Sequence, residues 1–90
     1  MKFGEALEHI KQGGKISRKD WNGKGMFVYY VPPAKYPANR NELSTMANYA
    51  DDQGLVQYNA YMAIKNVDRT VSTWVPSVND CLAEDWARVL

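Results

Sequence analysis

The sequence predicts an α+β domain: a small, largely antiparallel sheet with an N-terminal helix and a short C-terminal helix. Three features carry that expectation. The chain opens with apolar residues at helical spacing, an asparagine–glycine turn separates two extended stretches, and a capped helical turn precedes a final apolar run. Residues 1–90 read as one domain, because a chain of this length builds a single core and buries only about two thirds of the surface its unfolded form exposes.

In the first segment Phe3, Ala6, Leu7 and Ile10 stand at i, i+3, i+4 and i+7, which lines one face of a short amphipathic helix, and Gly13 with Gly14 supplies a left-handed stop. The stripe is a core face. His9, the only histidine, has no metal partner on this helix and reads as a solvated residue. From Lys15 to Trp21 the chain can extend, Asn22 and Gly23 offer the positive-φ residues of a tight hairpin, and Met26 to Val31 is β-branched and aromatic. Gly25 adds a bulge or permits close approach, and Pro32 with Pro33 ends the second strand.

Between Ala34 and Gly54 the composition turns polar, with one short helix expected from Glu42 to Tyr49 and nothing periodic before it. Residues 55–65 alternate as one half-buried strand, with Val56, Tyr58, Ala60, Met62 and Ile64 on one face and Gln57, Asn59, Tyr61 and Lys65 on the other. After a turn at 66–70, "VSTWV" is a further strand. Ser77 and Asp80 stand in the relation of a capping box, which predicts a helix from Val78 to Ala83, and "DWARVL" can add an edge strand.

Composition excludes several functions. A single cysteine, Cys81, forms no internal disulfide and fits a reducing cytoplasm. No segment approaches the ~20 apolar residues of a membrane span, so no membrane partner is expected. The net charge of +1 gives no pull toward DNA, although five of the eleven basic residues (Lys11, Lys15, Arg18, Lys19, Lys24) crowd one short stretch. No catalytic or metal constellation is legible: Asp51–Asp52 and Glu84–Asp85 are chain neighbours rather than facing pairs, and Cys81 has no evident base. A hydrolase using Asp80 or Asp85 as base, a purely structural or protein-interaction module, and a general single-strand binder are the competing readings.

Anion binding is the chemistry the residues favour. Backbone N–H groups of the glycine turn can converge on an anion with Lys24 beside them, and Trp21 abuts a polar turn where burial is hard to arrange. The start of the helix after Ser77 offers further N–H groups, but Asp80 competes with an anion there, so this end suits a base edge or ribose hydroxyl. Trp74 and Trp86 flank that helix and either pin it or line a cleft. A compact chain of this size has a radius of gyration of about 12 Å, so a nucleotide-sized ligand sits more easily between subunits.

The segments "FGEALEHIKQG", "DWNGKGMFV", "YMAIKNVDRTVSTWVPS" and "NDCLAEDW" together resemble the second Thoeris anti-defence family of small phage and prophage proteins. The resemblance runs from Phe3 through Trp86 and departs mainly between Pro33 and Gly54. It implies a non-catalytic sponge, with no cofactor, that sequesters a cyclic ADP-ribose isomer made by a TIR-domain enzyme, in some members also a cyclic oligonucleotide at another site. It also implies a homo-oligomer, a tetramer, holding ligand between protomers. Carried onto this chain, it places Trp21, Asn22, Gly23, Lys24, Gly25 and Met26 at the pocket, Trp21 as stacking platform, and adds Trp74, Ser77, Asn79 and Asp80 as readers of base and ribose. Pro76 and Asn79 stand where small or hydroxyl residues are expected, and the variable loop, Arg40 included, bears on which isomer fits.

Overall fold

The structure, a computed structural model, describes residues 1–21, 24–38 and 46–90. Its elements are α1 (Phe3–Lys11), β1 (Lys15–Ser17), a 3-10 turn (Lys19–Trp21), β2 (Phe27–Val31), β3 (Ala34–Pro37), β4 (Leu55–Tyr58), β5 (Tyr61–Lys65), β6 (Val71–Trp74), α2 (Val78–Leu82) and β7 (Ala87–Val89). Five strands form one antiparallel sheet in the order β6-β5-β2-β1-β7, and β3 pairs with β4. The α+β class is therefore as the sequence predicts.

The stripe of α1 packs as its spacing requires, with Ala6 and Ile10 buried and Phe3 and Leu7 against the same cluster. Ile16, Val28 and Ile64, from the sheet face that looks toward the helices, complete that core together with Trp86 from the connection between α2 and β7. Gly13 takes φ +96° and its N–H donates to Ile10 O at 2.9 Å, which stops the helix. His9 is half-buried rather than simply solvated: its imidazole lies over Gly14 so closely that a Cβ there would overlap the ring.

The predicted hairpin exists as antiparallel β1 and β2, with Ile16 opposite Val28, but its connection is longer than a two-residue turn. The first strand ends at Ser17, and Trp21 sits in the 3-10 turn, where its N–H donates to Arg18 O and its own carbonyl accepts from the Lys24 N–H. Asn22 and Gly23 lie outside the described residues. Of the helix expected from Glu42 to Tyr49, residues 42–45 also lie outside them, and 46–49 form one 3-10 turn.

The strand expected over 55–65 is broken, and the stretch read as polar loop contains β3. The two facts have one cause. Val31 pairs with Tyr61 and Ala34 with Tyr58, so three steps forward on one side match three steps back on the other. β2–β5 and β3–β4 are thus one antiparallel ribbon, interrupted where Pro32 and Pro33 face Ala60 and Asn59, since proline carries no N–H for the ladder. The outer part forms an arm whose strands pack chiefly on each other, with Tyr36 edge-on to Tyr58 at 5.3 Å. It extends the chain to 45 Å and raises the radius of gyration to 15.9 Å, above the compact expectation.

On the ribbon's alternating faces, Val56 and Ile64 are buried and Met62 joins the core as expected, whereas Tyr58 and Ala60 are exposed and Ala63 is buried on the opposite face. The helix after Ser77 ends at Leu82, one residue short of the predicted end, because Ala83 is already extended. Among the described residues no helix is long and apolar enough to cross a membrane.

Candidate functional site

One sheet face carries the helices and the other is open. On the open face Phe27 from β2 lies between two lysines, Lys15 from β1 with its Nζ 5.0 Å from the ring centroid and Lys65 from β5 with its Nζ 5.7 Å away. The placement follows from register, since Phe27 and Lys65 are direct cross-strand partners. Neither lysine forms an ion pair among the described residues. Lys65 instead donates to the Gly25 carbonyl at 2.9 Å and so ties the glycine turn to the sheet. Gly25 has φ +70°, a conformation that a side chain disfavours.

This arrangement frames a cleft of about 260 Å³ lined by Ser17, Trp21, Gly25, Met26, Phe27, Lys65 and Val89. Three of the sequence-predicted site residues, Trp21, Gly25 and Met26, therefore meet in one place. Lys24 is exposed in the adjoining turn. Lys65, Phe27 and Lys15 were not singled out from sequence. The basic crowding around Lys15 was a signal for that residue, but nothing local to Lys65 marks it.

The second predicted group lies elsewhere. Trp74, Ser77, Asn79 and Asp80 line none of this cleft. Trp74 is half-buried, with its ring 6.0 Å from Trp86 and 6.2 Å from Phe3, and Ser77 and Asn79 are exposed at α2. Ser77 and Asp80 hold each other in a capping box: Asp80 N–H donates to Ser77 Oγ at 3.0 Å and Ser77 N–H to Asp80 Oδ2 at 2.9 Å. Asp80 Oδ1 accepts from Arg18 Nη1 at 3.0 Å, so both carboxylate oxygens already have donors.

The two groups communicate through Trp86. Trp21 meets that ring edge-on at 5.5 Å, Trp74 does so from another side, the Arg18 guanidinium stands 5.8 Å from its centroid, and its Nε1–H donates to Asp80 O at 2.9 Å. Arg18 also donates from Nε to Asp85 Oδ1 at 2.8 Å. Trp86 thus does not line a cleft; it is 2% exposed and fixes both groups to one core. Asp51, considered from sequence as half of an acid pair, is a loop staple whose Oδ1 accepts from the N–H groups of Gln53 and Leu55 while Oδ2 accepts from Lys35.

The Arg18 network has a pH consequence. Burial raises the pKa of Asp80, but the Ser77 N–H and hydroxyl and Arg18 outweigh it and hold the carboxyl below its ordinary 3.8; the Arg18 hydrogen bond, against some desolvation, does the same for Asp85. Because these folded-state values are depressed, the stabilisation is present above pH 3.8 and is lost as pH falls through them. Urea midpoints measured from neutral pH downward are expected to stay level to about pH 5 and then fall. Arg18→Gln is expected to start lower and fall less steeply; a parallel descent of the two proteins would count against the network.

A family model described as the Thoeris anti-defense 2-like domain matches residues 1–89. The chain is also 35% identical over 88 residues to Thoeris anti-defense 2 of Bacillus phage SP01, an alignment covering 96% of this chain and 91% of that protein. With a match that spans every element from α1 to β7, the chain belongs to the Thoeris anti-defense 2-like family.

Proposed function

We propose that this protein inhibits Thoeris antiphage defence by binding and sequestering a cyclic ADP-ribose-type signal without altering it. The family supports the inhibitory role. The observation that carries the binding reading is the open-face cleft, where aromatic rings, a positive-φ glycine and Lys65, free of a carboxylate partner among the described residues, stand together, with Lys15 on the other side of Phe27. Flat bases stack on such rings, and ammonium groups and turn amides complement phosphates.

Magnitudes favour capture between copies. Stacking on one ring contributes about 1–3 kcal/mol, whereas nanomolar binding requires about 12 kcal/mol. A cleft of about 260 Å³ in one chain encloses only part of a cyclic dinucleotide-sized molecule. In this reading Trp21, Asn22, Gly23, Lys24, Gly25 and Met26 form one wall, and Trp74, Ser77, Asn79 and Asp80 supply a second wall from another protomer of a homo-oligomer, a tetramer, acting in the host cytoplasm. Asp80 acts there through the shape of its turn and its remaining lone pairs. A cyclic oligonucleotide is the alternative ligand of the same phosphorylated, base-bearing class.

The test is direct. A cyclic ADP-ribose isomer mixed with excess protein is expected to vanish from an ultrafiltrate and to return chemically intact after heat denaturation. Ligand that returns cleaved indicates a hydrolase, and ligand that never leaves the filtrate removes the sponge reading.

A further inference from the structure

The turn that carries Trp21 is braced from the helix side by one side chain. Ser17 lines the open-face cleft, and alternation at the end of β1 sends its neighbour Arg18 the other way, so the guanidinium lines none of that cleft. It reaches toward α2 instead. Nε donates to Asp85 Oδ1 at 2.8 Å and Nη2 to Oδ2 of the same carboxylate at 3.5 Å, while Nη1 donates to Asp80 Oδ1 at 3.0 Å and the group stands 5.8 Å from the Trp86 centroid. The Arg18 and Asp80 side chains are 23% and 17% exposed, so water screens this pair less than one on the open surface.

Each partner leads to an element of the candidate site. Asp80 caps α2 by accepting the Ser77 N–H, and Asp85 directly precedes Trp86, the ring that Trp21 meets edge-on. The backbone of Arg18 leads to the other wall. Its carbonyl accepts the Trp21 N–H at 2.9 Å, and the Trp21 carbonyl in turn accepts from the Lys24 N–H at 3.1 Å. Lys65 ties the far end of the same connection through the Gly25 carbonyl. Arg18 is the anchor at the near end.

We infer that Arg18 is a positioning residue for ligand capture: without touching the ligand, it holds the Trp21 turn in the orientation relative to α2 that the binding surface requires. The inference rests on the sequestration reading only in taking Trp21 as the stacking ring. The chemistry specifies arginine. A guanidinium offers parallel donors in one plane and can also lie against a ring, which fits two carboxylates and Trp86 together, whereas an ammonium is a point charge without that fork. Lysine here keeps the charge and loses the brace. A ring that occupies its binding orientation only a tenth of the time binds about tenfold more weakly, because affinity scales with the competent fraction.

Circular dichroism and calorimetric titration with a cyclic ADP-ribose isomer test this on the intact protein. Arg18→Lys is expected to keep the far-UV spectrum, to lose most of the near-UV band that Trp21→Ala also removes, and to bind about tenfold more weakly. Ile64→Val trims the core without altering the brace, so it is expected to lower stability while keeping both band and affinity. In a Trp21→Ala background the lysine substitution is expected to cost little further affinity, since the ring it positions is gone. Wild-type affinity, or an unchanged near-UV band, in folded Arg18→Lys overturns the inference, as does a full tenfold loss in the Trp21→Ala background. Should Arg18→Lys not fold, Asp85→Ala, which removes only the forked pair, is judged by the same criteria. If the wild type takes up no cyclic ADP-ribose isomer, the sequestration reading fails, and the near-UV band alone decides whether Arg18 orients Trp21.

Discussion

Trp86→Ala is expected to lower the unfolding free energy by about 3–5 kcal/mol, enough to leave a domain of this size barely folded. The ring is the largest fully buried side chain, and its loss removes contacts with Phe3, Trp21, Trp74 and Arg18 at once. It also leaves the Asp80 carbonyl without the indole donor. Equilibrium urea unfolding followed by circular dichroism measures the effect. Trp86→Phe retains most of the apolar volume but not the N–H, so its deficit is expected to lie well below that of alanine. If alanine costs no more than phenylalanine, the ring is not the hub described.

Trp21→Ala is expected to weaken binding of a cyclic ADP-ribose isomer by roughly 5- to 150-fold, the equivalent of one lost stack of about 1–3 kcal/mol. Calorimetric titration reads this directly. Because Trp21 also contacts Trp86, some stability is lost too, and Trp21→Phe distinguishes the two roles by restoring a flat ring at the turn. Recovery of affinity with phenylalanine supports stacking. Undiminished affinity in the alanine variant would remove Trp21 from the binding surface.

What could be read from the sequence was local. The stripe of α1 and the Ser77–Asp80 box are fixed by residues within one or two turns of each other, and both form at the expected places. The alternation of β5 was legible for the same reason. β3 was not, because a strand bounded by Pro33 and containing Pro37 looks like loop until the facing strand is known. At the site, the wall of Trp21, Gly25 and Met26 was visible as one motif. Lys65 joins it only through pairing of β2 with β5, and Arg18 joins Asp80 and Asp85 across 62 and 67 residues of chain. Contacts of that range leave no periodic trace.

The shared register on either side of Pro32 and Pro33 bears on how relatives of this chain can differ in length. Residues can be added to or removed from the projecting hairpin only as matched sets, two from each side, if the outward and inward faces beyond the proline joint are to stay as they are. A change on one side alone would turn over every side chain beyond it or force a bulge to absorb the excess. The body, whose ladder is already fixed from Phe27 to Val31, would not register the difference. Evolution can therefore remodel the tip freely while the five-stranded sheet that carries the open-face cleft keeps its dimensions.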